Sequence, residues 1–358
     1  MGVEKTNGKE KNITRRCCCR RRGAYKNAGA RGAGATRRAP PMMDECQTAE
    51  TLAEAEALNP PVSPLRLDAA VEEQPGRGWQ YYNRRMAAPN VWEVDVDLSL
   101  VNEAARMYAE AGLREAHVEL AGRRGVPIRS YSGGGSSFAV VQPKGWSSDV
   151  NWFTVDDEAT MERFTSIFTR LGLASLFAPV VGHNTQLAMY SAMFVVRSQC
   201  TSANVHTDWA DSVGTSALTL ITPLGPCKPD ANGGFHLLYE SEAPSSQGRS
   251  ERTKAEAMAA LRQYSYVPGK AIVFGAGFRH STEPGCAACR TEPQAFLCLT
   301  FGTDRLDMWP AIAHKGLRDQ SRVLSRPDGS IERTGLGEQV ADHSFSMIQL
   351  AMMASQAR

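Results

Sequence analysis

The chain has 358 residues, 42% hydrophobic and 22% charged, which suits one large or two ordinary globular domains. Its net charge of +2 is unevenly spread: residues 1–43 carry twelve Lys and Arg against two Glu, so that segment holds +10 and the remaining chain −8. The mildly acidic body argues against nucleic acid as a partner, no run of 18 apolar residues is present to span a membrane, and the basic first forty residues contain no secretory apolar core.

Taken in chain order, residues 1–78 read as a basic, disordered tail, because "RRCCCRRRGAYKNAGARGAGATRRAPP" is rich in Gly, Ala and Arg and lacks an apolar period. Its start, Met1-Gly2-Val3-Glu4-Lys5-Thr6, fits the loose myristoylation pattern, and Cys17, Cys18 and Cys19 lie among arginines where palmitoylation would add a second anchor. An organelle transit peptide and an uninformative tail fit the same composition. The expected location is therefore intracellular, cytoplasmic by default, with organelle targeting or attachment to a membrane surface left open. "AETLAEAEALNPP" predicts a short acidic helix stopped by its prolines. Nine cysteines are an odd number and form no disulfide framework for a chain this long, which suits a reducing compartment. Cys286-Ala-Ala-Cys289 has no second pair with which to build a zinc site and reads as loop cysteines or a redox-sensitive pair.

The main domain is expected over 79–310. "SLVNEAARMYAEAG" predicts a helix with Ser99 as N-cap, an apolar stripe through Leu100, Ala104, Met107 and Tyr108, and Gly112 at its stop. "YSGGGSSFAVV" predicts a Gly-rich turn and a strand; no GK[ST] follows, so the glycines do not form a phosphate loop. "DDEATMERFTSIFTRLG" predicts a second amphipathic helix, capped by Asp156 or Asp157. After Gly182 the pattern changes to short apolar runs punctuated by Gly and Pro: "LAMYSAMFVVRS", "ALTLITPL", "GGFHLLYE", "YSYVPGKAIVFGAG" and "AFLCLTFGT". Successive strands of this kind predict a mainly β fold, a sandwich or jelly roll with its core at about 183–304, supported by the N-terminal helices. A polar insertion, "SEAPSSQGRSERTKAEAMAALRQ", interrupts them; its second half predicts a helix whose Arg249, Arg252 and Lys254 read as a solvated face or a lid beside the site. Residues 311–358 read as a C-terminal extension ending in a helix capped by Asp342.

One constellation carries chemistry. His206 and Asp208 stand at i and i+2, which on a strand places both side chains on one face. Two His and one carboxylate on one side of a metal leave the other side open, a set typical of non-haem iron(II). The third ligand must come from elsewhere in the chain. His183, His236, His280 and His314 are all available; His280 stands out because a Pro-Gly turn, the apolar run Ala271–Phe274 and a Gly-rich bend lead into it. Ten residues further lies Arg290, whose planar fork suits a carboxylate if it is held inside the fold.

His-x-Asp, a long gap, Pro-Gly-x-x-x-x-Phe before a second His, and a basic residue ten beyond it resemble the iron(II)/2-oxoglutarate-dependent dioxygenases. The likeness spans about residues 187–304, and "GGFHLLYE" resembles a Gly-Gly-x-Leu strand found in many members. The resemblance implies a double-stranded β-helix (jelly roll) in which His206, Asp208 and His280 bind Fe(II). It implies that Arg290 holds the far carboxylate of 2-oxoglutarate and that molecular oxygen is consumed, with ascorbate supporting activity. The implied reaction is hydroxylation of a C–H bond on an unidentified organic substrate, a small molecule or a protein side chain. Where many relatives carry Ser or Thr two residues after the Arg, this chain has Glu292; the hydroxyl partner of the cosubstrate is then Tyr190 or Thr300, and Glu292 is expected to face outward or be ion-paired. A carboxylate at position 208 argues against the halogenase variant, and the paired downstream arginines of nucleic-acid demethylases are absent. Trp209 either walls the site or packs, Arg197 either meets substrate or is a solvated strand end, and His236 reads as structural. The competing class is a non-catalytic, cupin-like jelly roll that binds a metal or small ligand.

Overall fold

A computed structural model of the chain describes residues 69–74, 78–123, 125–143, 149–181, 187–200, 204–227, 235–241, 261–281, 285–286, 292–314 and 316–336. The basic tail to residue 68, residues 242–260 of the polar insertion, the Asp342-capped helix, His183, Cys289 and Arg290 lie outside them; the end of the insertion, Leu261–Gln263, expected as helix, is instead the start of a strand that pairs with a neighbour. β1 (Ala69–Gln74) falls inside the segment read as tail; it pairs antiparallel with β2 (Gly78–Asn83), which also pairs with β3 (Ala88–Pro89).

After β4 (Val91–Asp95) come two helices, α1 (Leu98–Glu110) and α2 (Leu113–Leu120). α1 starts one turn signal earlier than expected: the Asp97 carboxylate, not Ser99, caps it by accepting from the Ser99 N–H at 2.7 Å. Gly112, left-handed at φ 64°, does stop α1, but the chain re-enters a helix at once, so the glycine serves as a hinge between two helices. β5 (Ser130–Gly133) and β6 (Ser136–Val141) form a hairpin through Gly134 and Gly135, both at positive φ. β7 (Asp149–Val155) follows, and α3 (Glu158–Arg170) is capped by Asp157 as its sequence predicts. α4 (Leu173–Val181), apolar almost throughout, completes the helical layer.

The β core uses β8 (Ala188–Cys200), β9 (Ala217–Pro223), β10 (His236–Glu240), β11 (Leu261–Ser265), β12 (Lys270–Phe274), β13 (His280–Ser281), β14 (Gly285–Cys286) and β15 (Gln294–Gly302). A large antiparallel sheet runs β4-β12-β9-β15-β8-β7-β6-β5, with β14 on the end of β8, and a small sheet runs β11-β10-β13. A bridge between His206 and His280 extends the small sheet by one more segment. From β8 onward the chain therefore alternates between the sheets, the winding of a jelly roll.

Both faces of the large sheet are buried, which explains why its central strands are largely apolar on both faces. Along β15, Leu297, Leu299 and Phe301 pack with Leu100, Met107, Phe164 and Phe177 from the helices. Phe296 and Cys298 point the other way, toward Phe235, Tyr239, Phe274 and Phe278 between the two sheets. The N-terminal helices thus support the sheet from behind and leave its inner face for a site. After β15, α5 (Trp309–Ile312), α6 (Gly316–Gln320) and the hairpin β16 (Val323–Ser325) with β17 (Ile331–Arg333) close the described chain.

Candidate metal centre

His280 reaches the inner mouth of the barrel because β12 ends in a tight bend. Gly277 sits at φ 83°, and Gly275 has so little room that a Cβ would meet Leu218 Cδ2 at 3.1 Å and Gly214 O at 3.3 Å. Asn90 anchors this bend. Its backbone is left-handed at φ 47°, its carbonyl accepts from Gly275 N at 2.9 Å, and its amide donates to Ala276 O at 2.7 Å. Sequence reasoning missed Asn90, because its bend partner Ala276 lies 186 residues away. An Asn in the left-handed region just before an apolar strand is the signal that was available.

His206 is not in a regular strand. It forms two backbone hydrogen bonds with His280, His206 N to His280 O at 2.8 Å and His280 N to His206 O at 2.9 Å, and Asp208 follows in a turn. The i, i+2 spacing still works, because the bridge fixes one ligand and the turn brings the next beside it. His206, Asp208 and His280 offer ligand atoms that all lie within 4.8 Å of one another. Asp208 Oδ1 faces His206 Nε2 at 3.5 Å and His280 Nε2 at 3.6 Å.

Surrounding groups set the direction of each donor. His206 Nδ1 donates to Asn204 O (2.8 Å) and His280 Nδ1 donates to Phe278 O (3.2 Å), which leaves both Nε2 lone pairs turned inward. The Phe278 ring stacks on His280 at 17°. Asp208 Oδ2 accepts from the Thr219 hydroxyl at 3.0 Å, and that hydroxyl in turn accepts from the Trp209 indole N–H at 3.1 Å. Trp209 is therefore packed rather than a wall of the site: it is 6% exposed, clusters with Tyr190 and Trp309, and fixes the hydroxyl that aims Asp208.

Burial alone would raise the Asp208 pKa, but His280, His206 and the Thr219 hydrogen bond outweigh it and hold the carboxylate ionised, at about 2. Burial pushes His280 down to about 4 against the pull of Asp208, so its imidazole is neutral at physiological pH. Two imidazoles and one carboxylate facing one another are a donor set suited to a divalent transition metal. Among the described residues this is the one His/Cys/Asp/Glu cluster able to hold a metal ion.

A cavity opens from the three ligands along the inner face of the large sheet. Its walls include Met193, Val195 and Arg197 of β8, Ile221 of β9, and Phe296 and Cys298 of β15. Arg197 is not a solvated strand end: it is 1% exposed, one of the largest fully buried side chains in the described chain. Its guanidinium lies 4.4 Å from the Phe296 ring centroid and 4.9 Å from that of Phe235, with the buried Tyr266 phenol nearby. Burial raises that phenol, against the pull of Arg197, to about 12.

The expected hydroxyl partners of a cosubstrate are not in this cavity. Tyr190 sits at a bulge, because Thr300 pairs with Ser191 while Phe301 pairs with Met189, and its hydroxyl donates to Thr303 O on the far side. Thr300 shares a hydrogen bond with Ser191 (2.8 Å) on the rung beside Thr219, outside the cavity lining. Glu292 is exposed, as expected, and His236 lies on β10 with Ser265 as its neighbour, away from the metal ligands.

No protein-family profile matches the sequence, and comparison with curated proteins gives no match. Among solved structures, the chain is similar to a prolyl-4-hydroxylase of Pseudomonas putida (16% identity, TM-score 0.34), over 60% of this chain and 92% of that one. It is also similar to AviO1 of Streptomyces viridochromogenes (14% identity, TM-score 0.37, 61% and 91% covered). HygX of Streptomyces hygroscopicus, solved with nickel and 2-oxoglutarate bound, shows 13% identity and a TM-score of 0.35, with 62% and 87% covered.

Proposed function

We propose that the protein is an iron(II)- and 2-oxoglutarate-dependent oxygenase that hydroxylates a C–H bond of a small organic molecule or a protein side chain. The observation that carries this reading is the facing set of His206, Asp208 and His280, with donor directions fixed by Asn204 O, Phe278 O and Thr219, at the mouth of a jelly-roll cavity. The sequence likeness to the dioxygenase family supports it independently of that geometry.

In this reading His206, Asp208 and His280 hold the metal from one side and leave the side facing the cavity for other ligands. When bound, iron(II) together with 2-oxoglutarate supplies oxygen activation and the oxidation of a C–H bond. The chain's own contribution is orientation and exclusion of water. The Thr219 hydrogen bond occupies Asp208 Oδ2 and leaves Oδ1 for the metal. Met193, Val195, Ile221 and Phe296 give the cavity apolar walls, where a charge interaction is screened less than in water.

The test is succinate release from 2-oxoglutarate by purified protein with Fe(II), ascorbate and air, alone and with panels of metabolites and peptides. Turnover that needs both iron and oxygen and is lost in Asp208→Ala is the expected result. Metal binding without any 2-oxoglutarate consumption would overturn the reading in favour of a non-catalytic, cupin-like binding protein.

A further inference from the structure

Gln320 ends α6, a short helix of the C-terminal extension, and its side chain lines the cavity beside the metal ligands. Gly316 lies four residues earlier and so on the same helix face. It stands against the Asp208 turn: a Cβ on it would lie 3.8 Å from the Asp208 carbonyl oxygen. That face of α6 is therefore turned toward the metal ligands. The backbone carrying Gln320 is braced on both sides. Leu317 packs with Trp209 and Tyr190. Ser321 N–H donates to Leu317 O at 3.1 Å, the Thr334 hydroxyl donates to Ser321 O at 2.6 Å, and Arg322 pairs with Asp156 at 3.1 Å. Asp156 lies just past the end of β7, two residues beyond Thr154, whose β8 partner is Met193. Met193 shares a rung with Cys298 and Ile221, and Thr219, which holds Asp208, lies two residues from Ile221 in the same direction. Gln320 is thus delivered at the metal end of the sheet, whereas Arg197, opposite Gln294, stands at the other end.

The chemistry at this end is specific. Gln320 is half-buried, and its carboxamide makes no hydrogen bond among the described residues. A carboxamide places a donor and an acceptor side by side without charge. Trp152, Met193, Val195 and Ile221 give the same cavity apolar walls. Asp208 is the one carboxylate in the lining, and in the oxygenase reading the metal occupies it. A cationic ligand therefore finds no counter-charge here, while a neutral amide can make both bonds of a cyclic pair with Gln320. An apolar cavity with a few placed polar groups fixes the orientation of its ligand through those groups.

We infer that Gln320 is a specificity-determining residue that binds a neutral amide group of the substrate and so places the adjoining C–H bond at the metal ligands. The inference rests on the oxygenase reading and names its substrate class: an uncharged amide on an apolar body. Free small amides and peptide bonds share this chemistry.

The experiment is proton NMR of probe ligands with the full chain, 2-oxoglutarate, and Mn(II) kept below the protein concentration, so that probes bound near the metal are broadened. D208A sets the background. The probes are 3-phenylpropanamide, the cationic 3-phenylpropylamine and a capped Ala-Phe-Ala peptide. Wild type should broaden the amide well beyond the amine. Q320L should lose about 10-fold in amide affinity, as expected for one to two neutral hydrogen bonds. Q320E, nearly identical in shape, supplies a negative charge and should prefer the amine; it decides the matter if Q320L does not fold. Gln320-dependent broadening of the capped peptide beyond that of 3-phenylpropanamide supports the inference with a peptide as source, and the reverse order supports it with a free amide. Equal broadening of amide and amine in wild type, or an amide preference that survives in Q320L or Q320E, overturns the inference alone. 2-Oxoglutarate lines no broader with wild type than with D208A overturn the oxygenase reading and the inference with it.

Discussion

Thr219→Val isolates the hydrogen-bond relay behind Asp208. The substitution preserves volume and β-branching on β9, and Thr219 is only 2% exposed, so packing and solvent access stay nearly constant. Two interactions are lost. The Thr219 hydroxyl no longer donates to Asp208 Oδ2 (3.0 Å), and the Trp209 N–H loses its acceptor (3.1 Å). A hydrogen bond to a charged group contributes about 1.5–3 kcal/mol, so metal affinity should fall by roughly 10- to 150-fold as the carboxylate gains freedom to turn. Stranding the buried indole N–H should cost about 1–3 kcal/mol of metal-free stability. Mn(II) titration by calorimetry reads the first quantity, and urea unfolding of the metal-free protein reads the second. Thr219→Ser keeps the hydroxyl and should recover most of the affinity; Trp209→Phe keeps the Thr219–Asp208 bond and should lose only a few-fold. A folded Thr219→Val protein with a Mn(II) dissociation constant within twofold of wild type would refute the claim that this relay orients the ligand.

Saturating metal should raise the stability of wild type by about 2.7 kcal/mol at 100 times its dissociation constant, while H206A, D208A and H280A should show no metal-dependent shift in thermal melting; a full shift in any of them removes that residue from the ligand set. Burial holds His117 at about 4 in the folded chain, where it lies between Asn151 and Ser198. Its folded pKa is below the unfolded value, so the unfolded state binds the extra proton first and stability falls as pH drops from about 6.5 toward 4, by up to about 3 kcal/mol. Urea midpoints across that range check this, and a profile in H117Q as steep as wild type would assign the effect elsewhere. Asn90→Ala should destabilise the protein by about 2 kcal/mol or more, through positive-φ strain and the lost bond to Ala276 O, and should weaken metal binding by loosening the bend before His280; unchanged metal affinity in a destabilised variant would confine Asn90 to a structural role.

Much of the candidate metal centre was legible because its information is local. His206 and Asp208 are two residues apart, and the route into His280 is written in a Pro-Gly turn, an apolar strand and glycines, each with a direct conformational consequence. The jelly roll was legible for the same reason, since apolar runs of strand length with turn residues between them leave few other packings. What failed was period-2 reasoning where the period breaks. Tyr190 has the right chemistry for a cosubstrate partner and lies on the right strand, but the bulge between Met189 and Ser191 turns it to the opposite side, against Trp309. β7 was not predicted either: "NWFTV" is short, and its place beside β8 depends on a pairing across nearly fifty residues of chain.

Arg197 shows the same limit from the opposite direction. "RSQC" at the end of a long apolar strand leaves Arg197 open between a substrate contact and the point where the chain meets water, the second because charged residues are rarely fully buried without a partner group. That inference treats β8 as if it ended alone. In the fold β8 runs on to Cys200, with β7 pairing along one side as far as Gln199 and β14 pairing with Gln199 and Cys200 on the other. The strand end is therefore enclosed, and Arg197 points inward between Phe235 and Phe296. The two aromatic faces keep the guanidinium in cation–π contact inside the fold, a placement that depends on β7, β14 and β15 and that no local pattern in "RSQC" announces.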